Sequence, residues 1–390
     1  MSNKITILGA GAIGSSLGGL LRHAGQDVLL VGRAPQVAAI RAKGLHVDGV
    51  LGSFDVQVDA TEKLQTPPDL AFLTVKSQDL LTTLAEYKDL LSDAPVVLFQ
   101  NGVRGDEIIA SVLPQKERIA SVVVNMAANF LTPGEVTIVN AQALVIGRPF
   151  APNDAALLEI AAILRHALPV VVSNNIRGAH WMKLLVNLNN ALPAMTNLSS
   201  HDVYRDAYLT RLAILAMREG IETIDSAGIA LESLPSFPIA VARMIRLVPL
   251  GFAGHLVSFM VRRQETRWPL LGSTLQSIRR GRPTEIDYLN GEVVRLGRQV
   301  NVPTPINLAM VELVHQVESG DRFLSTGEIR RAIESSDLAR RATGVASNIR
   351  NRQDRSIVQE WRSQGDTAQN GGGAETCKAD RSQGGLIFDV

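Results

Sequence analysis

Gly9, Gly11 and Gly14 stand in the run ILGAGAIG, directly after the apolar stretch KITIL and directly before the helical pattern IGSSLGGLLRHAG. Strand, glycine turn and helix in that order are what a dinucleotide-binding βαβ unit requires of a G-x-G-x-x-G run. Gly9 permits the tight turn, Gly11 lets a pyrophosphate approach the backbone, and Gly14 lets the helix pack closely on the strand. The segment Gly9, Ala10, Gly11, Ala12, Ile13 and Gly14 is therefore the expected phosphate cradle, with the free N–H groups and positive dipole end of the helix aimed at the phosphates.

The rest of the N-terminal part extends this reading. DVLLVGR, DLAFLTVK and PVVLFQNG are strand patterns alternating with helical ones, which means a parallel sheet. EVTIVN and ALVIG, preceded by Pro133 and Gly134, are expected to close that sheet in antiparallel fashion. From about Asp154 the β-branched runs give way to long helical patterns. The expected organisation is a Rossmann α/β domain over 1–152, an all-α substrate and dimerisation domain over 153–335, and a polar tail over 336–390. The tail lacks the apolar density to offset its ordering entropy and is expected to be disordered from about Ser347, with LIFDV at its end able to dock.

Composition excludes several partners. With 39 Lys+Arg against 38 Asp+Glu the formal charge is +1, so no field recruits nucleic acid or an anionic membrane. The most apolar later run, LVPLGFAGHLVSFMV between Arg246 and Arg262, is 15 residues long and contains Pro249 and His255. A bilayer span needs about 20 residues, so the run reads as a buried helical hairpin or helix. Cys377 is alone and cannot form an internal disulfide, and Met1 leads straight into a strand pattern; both point to the cytoplasm. No metal site is expected.

Ligands of open α/β sheets bind beyond the carboxyl ends of the strands. The second strand ends in Arg33 with no acid beside it, a guanidinium suited to the 2′-phosphate of NADP, or else a solvated surface arginine. DLAFLTVKSQ ends in Lys76, a cation placed for the nicotinamide and an anionic substrate. PVVLFQNGV ends in Asn101, placed for the cofactor amide or ribose, and in Gly102, which allows close backbone approach. In WMKLLVNLNNALPAMT, Lys183 and Asn187 are four apart on one helix face among apolar neighbours. A lysine so buried acquires a depressed pKa and can protonate a carbonyl oxygen; the alternative is a snorkelling lysine beside a structural amide. Ser273 and Glu285 flank a loop containing Gly281 and Pro283, so both can return to one cleft, although Thr284 and Glu285 also read as a helix cap.

Taken together and in this order, ILGAGAIG, the Arg33 strand end, LTVKS, QNGV, the Lys183 to Asn187 run, STLQ and RPTEIDYLNGEVV resemble the ketopantoate reductase family over about Lys4 to Gln316. The resemblance implies NADP(H)-dependent reduction of 2-dehydropantoate, a 2-oxo acid, to (R)-pantoate in pantothenate and coenzyme A synthesis. It implies a helical domain like that at the C-terminus of 6-phosphogluconate dehydrogenase, and a homodimer built on it. Carried over residue by residue, Lys183 is the general acid, Glu285 an acidic member of the substrate and proton network, and Lys76 and Asn101 neighbours of cofactor and substrate. Asn187 binds the substrate hydroxyl and Ser273 its carboxylate end. Ala191 stands where the family often has a second asparagine, with Asn189 and Asn190 nearby, and Ser277 where an aspartate is common. These departures bear on substrate identity, leaving two alternatives: reduction of another 2-oxo acid or related ketone, and a non-catalytic NADP-sensing regulator.

Overall fold

Side chains of the N-terminal strands alternate between two apolar layers, and this alternation decides how the chain is wound. The computed structural model describes residues 4–250, 252, 254, 272–320 and 322–334. Its first half runs β1 (Ile5–Leu8), α1 (Ala12–His23), β2 (Val28–Val31), α2 (Ala34–Lys43), β3 (Leu45–Gly49), β4 (Phe54–Val56), β5 (Asp59–Thr61) and β6 (Leu70–Leu73). Then follow α3 (Ser77–Leu91), β7 (Val96–Phe99), α4 (Gly105–Val112), β8 (Ile119–Val123), β9 (Met126–Asn129), β10 (Glu135–Ala141), β11 (Leu144–Gly147), α5 (Ala155–Arg165) and β12 (Val170–Val172). Ile5, Ile7, Phe72 and Val97 pack against Leu17, Leu21 and Ile40 on one face. Leu8, Leu73 and Leu98 pack against Leu80, Leu84 and Ile109 on the other. Each such side chain contributes about 1.5–3 kcal/mol on burial, which is why both faces must be covered by helices.

The main sheet has the order β12-β11-β8-β7-β6-β1-β2-β5. β1 pairs in parallel with both β2 and β6. Strand order therefore reverses beside β1, and its carboxyl end is the crevice where such sheets bind ligands.

Two expectations need correction. EVTIVN and ALVIG do not close the sheet together: β11 joins it antiparallel to β8, while β10 enters a second sheet of order β4-β3-β10-β9. The cause is the β3–β4 ribbon, invisible as a strong pattern in the sequence, which offers β10 a parallel partner. The segment after Asp154 also does not begin the helical part. The apolar stripe of α5, with Leu157, Ile160 and Leu164, lies in the same core as Ile5 and Ile7, and β12 pairs with β11.

The helical part comprises α6 (Ile176–Asn187), a 3-10 turn at Leu188–Asn190, α7 (Ala191–Thr196), α8 (Ser200–Val203), α9 (Ala207–Ser226) and α10 (Ile239–Leu247). It continues with α11 (Ser273–Arg279), a 3-10 turn at Ile286–Tyr288, α12 (Asn290–Val300), α13 (Pro305–Gly320) and α14 (Thr326–Glu334). A parallel α/β domain is thus followed by a helical part, as the sequence led one to expect, and the described residues of both lie in one compact unit. Pro305 opens α13 because the first helical N–H has no intrahelical partner to lose. Most of the apolar run after Arg246, and the tail from 336 with its expected disorder, lie outside the described residues. Among the described residues no helix is long and apolar enough to cross a membrane.

A buried polar chain ties these helices together. The Glu219 carboxylate accepts from the backbone N–H groups of Ile306 (2.8 Å) and Asn307 (2.9 Å), capping α13, and from Asn307 Nδ2 at 2.8 Å. Asn290 Nδ2 donates to Asn307 Oδ1 at 3.0 Å and to the Leu188 carbonyl at 3.3 Å. The 3-10 turn after α6 is thereby fixed from beneath. Burial pushes the Glu219 carboxyl up to about 7, against the opposing pull of its hydrogen bonds. A carboxyl whose folded pKa is raised contributes stability that is present below its unfolded value, near 4.5, and lost as pH rises through about 7. Calorimetric Tm measured from pH 4.5 to 8 is therefore expected to decline more steeply for wild type than for Glu219→Gln. Parallel Tm profiles would contradict this.

Candidate active site

The glycine turn is built by close approach of backbone to backbone. Gly9 has φ +114°, a conformation open to glycine, and a Cβ there would lie 2.8 Å from the Val75 nitrogen. A Cβ on Gly14 would lie 2.1 Å from the Gly9 carbonyl oxygen. Thr74 Oγ1 donates to the carbonyls of Leu8 (3.1 Å) and Gly9 (2.8 Å), pinning the turn to the end of β6. Gly11 is different: a Cβ there would meet no protein atom within 4 Å. It precedes α1 without a side-chain cap, so no capping side chain takes up the first helical N–H groups. This is the cradle that a dinucleotide pyrophosphate requires, and the residues present fit one.

Beyond the cradle, three strand ends carry the expected polar residues. Arg33, just after β2, is exposed, with Nη2 3.8 Å from Asp79 Oδ2. Lys76 follows β6 and is half-buried; its Nζ donates to Ser277 Oγ at 2.5 Å. Desolvation lowers its pKa most; Glu285 opposes this, while Arg280 and Arg282 add to it. Asn101 follows β7, and its Oδ1 accepts from Asn187 Nδ2 at 3.1 Å.

The helical part reaches back to these ends. Glu285 is buried, and its Oε1 accepts from Ser77 N and Ser77 Oγ, each at 3.1 Å. The carboxylate so placed sits at the N-terminus of α3, where the helix dipole favours negative charge. Thr284 Oγ1 accepts from Ile286 N at 3.3 Å, a local bond two residues along at the entry to the 3-10 turn. Glu292 of α12 lies 3.7 Å from Arg104, a further ionic tie across the seam. Ser273 and Asn190 face each other at 3.5 Å.

Lys183 occupies the face of α6 that also carries Asn187, one turn away. It is half-buried, and it has no hydrogen bond or ion pair to any described residue. Loss of water around the amine is the cause that lowers its pKa, to about 8. Such an amine is largely protonated at neutral pH yet gives up its proton readily, as a general acid must.

Two participants escaped the sequence reading. Ser77 holds both Glu285 and, through its hydroxyl, the Asn101 carbonyl at 3.0 Å; its signal was only adjacency to Lys76. Ser277, read as a departure from a pattern, proves to be the direct partner of Lys76. Ala191 is fully buried in the helical core and does not face these groups. Among the described residues no cluster of His, Cys, Asp or Glu could hold a metal.

The sequence profile described as ketopantoate reductase PanE/ApbA matches residues 5–149, and that of its C-terminal part matches residues 175–318. The 2-dehydropantoate 2-reductase of Pyrococcus horikoshii is 31% identical over 319 residues, covering 81% of this chain and 98% of that protein. That of Pyrococcus abyssi is 30% identical over the same shares. Among solved structures, a PanE/ApbA family ketopantoate reductase from Ralstonia eutropha JMP134 aligns with TM-score 0.67 at 30% identity, over 81% of this chain and 98% of that one. D-mandelate dehydrogenase with NADH and anilino(oxo)acetate aligns with TM-score 0.69 at 25% identity over the same shares.

The glycine geometry separates folding from cofactor binding. Gly14→Ala forces a backbone clash and is expected to cost about 1–3 kcal/mol, as overpacking does. Gly11→Ala meets no protein atom and is expected to keep Tm within a few degrees while weakening dinucleotide affinity about tenfold or more. Thermal melts and fluorescence titration with NADPH check both; unaltered affinity in Gly11→Ala would contradict the cradle.

Proposed function

Because the chain belongs to the ketopantoate reductase family and is an oxidoreductase on that ground, we propose that it reduces 2-dehydropantoate to (R)-pantoate with NADPH, a step of pantothenate and coenzyme A synthesis. The observation that carries the proposal is the desolvated Lys183 amine, one helical turn from an amide fixed on the end of β7. A sensor of cofactor alone needs no such amine.

Reduced nicotinamide supplies the hydride when bound. The cradle from Gly9 to Gly14 holds the pyrophosphate, and Arg33 the 2′-phosphate. The exposed 3.8 Å pair with Asp79 is weak enough to leave that guanidinium available. Lys76, steadied by Ser277, offers its positive charge to the substrate, and Asn101 and Asn187 set the spacing between sheet and α6. Lys183 Nζ gives its proton to the ketone oxygen, so that charge never accumulates there. Glu285, held by Ser77, supplies the negative charge that keeps Lys76 cationic. A cytoplasmic location and a homodimer built on the helical part belong to the same proposal.

A second reading, reduction of a different 2-oxo acid, is favoured by one feature: Lys76 meets the neutral Ser277 hydroxyl where an acid was expected. The likeness to D-mandelate dehydrogenase points the same way.

NADPH and NADH oxidation followed over a panel of 2-oxo acids that includes 2-dehydropantoate distinguishes these readings. Wild type is expected to favour NADPH with 2-dehydropantoate, and higher turnover on another oxo acid would select the second reading. Lys183→Ala is expected to lower kcat at least about 100-fold with NADPH affinity retained. In wild type, kcat/KM is expected to fall as pH rises through about 8, where Lys183 loses its proton. Undiminished kcat in Lys183→Ala would overturn its role as acid.

A further inference from the structure

Three elements meet in a ring of contacts one helical turn from Lys183. Asn187, at the end of α6, donates through Nδ2 to Asn101 Oδ1, just after β7, at 3.1 Å. Three residues further on, Arg104 Nη1 lies 3.7 Å from Glu292 Oε1 in the first turn of α12. That same turn carries Asn290, whose Nδ2 donates to the Leu188 carbonyl, directly after α6, at 3.3 Å. The ring thus runs from α6 through the turn after β7 to α12 and returns to α6.

The link between Arg104 and Glu292 is the ionic one. Glu292 is buried, and its other carboxylate oxygen, Oε2, accepts from Arg295 Nε at 2.6 Å. Burial raises the Glu292 pKa most; Arg295 and Arg104 oppose this, while Glu107 adds to it. Arg104 is half-exposed, yet its Nε is buried with no hydrogen-bond partner among the described residues, 4.0 Å from Glu107 Oε2. The crevice that Arg104 and Glu292 both line has no room for a water molecule, so no water separates the two charges. Beside them sheet and helical part are already in contact: Gly102 has φ +96°, and a Cβ on it would lie 3.1 Å from the Tyr288 carbonyl oxygen.

We propose that Arg104 and Glu292 are positioning residues for Lys183: their ion pair clamps α12 onto the turn after β7, closes the ring and keeps α6 pressed against the strand ends. The pair acts through the Asn101–Asn187 hydrogen bond on one side and the Leu188 carbonyl on the other. Without it the seam loosens and water reaches the Lys183 amine, whose lowered pKa comes from desolvation alone. The inference rests on Lys183 being the proton donor. If wild type shows no fall in kcat/KM near pH 8, or Lys183→Ala keeps its kcat, that reading fails; a wild-type fall that the variants below leave in place counts against the clamp alone.

The test is kcat and kcat/KM against pH, with NADPH and the best 2-oxo acid of the panel, for wild type, Arg104→Gln, Glu292→Gln, their double variant and Arg104→Lys. Each Gln variant is expected to lower kcat about tenfold to a hundredfold, the cost of a misplaced reacting group, with NADPH affinity retained. The alkaline fall in kcat/KM is expected to move up from about 8 toward the ordinary 10.5 of a lysine as water returns to the amine. The double variant is expected to lose no more than the worse single one, since both break the same link. Arg104→Lys, which keeps the charge, is expected to stay closer to wild type in kcat and in the position of the fall. Should Glu292→Gln unfold in the assay, Arg104→Gln, altered at a half-exposed side chain, carries the test by itself. An unchanged kcat in Arg104→Gln, an alkaline fall left at the wild-type pH, or losses that multiply in the double variant would overturn the proposal.

Discussion

Burial of helix α6 against the ends of the central strands is the constraint on which the rest of this molecule depends. Its apolar residues Met182, Leu184 and Leu185 are fully buried. Two polar residues on the same helix follow them out of bulk water. Asn187 is satisfied by Asn101. Lys183 finds no partner among the described residues and answers with a lowered pKa. Stability and chemistry therefore pull in opposite directions at this position, the pattern expected where a site is functional.

The same burial organises the seam. Glu285 and Ser277 come from a segment about 200 residues after Lys76 and Ser77 in sequence, yet hydrogen bonds join them pairwise at the end of β6. Glu285 serves the N-terminus of α3 and the charge of Lys76 together. Behind the seam, Asn290 bonds the Leu188 carbonyl of the turn that follows α6, and through Asn307 this link reaches Glu219.

Local signals were read well from the sequence, and long-range packing was not. The glycine turn was legible because each glycine answers a steric demand of its own, visible in the spacing alone. The Lys183 and Asn187 stripe was legible from helical periodicity. The partition of EVTIVN and ALVIG into different sheets was not, since pairing depends on the weakly patterned β3–β4 ribbon. The allegiance of α5 was hidden because an amphipathic helix packs equally well on a sheet or on other helices. The direction taken by Asn189, Asn190 and Ala191 turned on a local change from α to 3-10 geometry at Leu188–Asn190, which no residue pattern in the run reveals.

The account stands or falls on where the Lys183 amine lies when a 2-oxo acid is bound. A crystal structure of the chain with NADPH and a slowly reduced 2-oxo acid measures this directly. The expected result places Lys183 Nζ within about 3.2 Å of the ketone oxygen, while the carbonyl carbon lies open to the nicotinamide that delivers the hydride. An amine more than about 5 Å from that oxygen, with another donor in its place, would contradict the account.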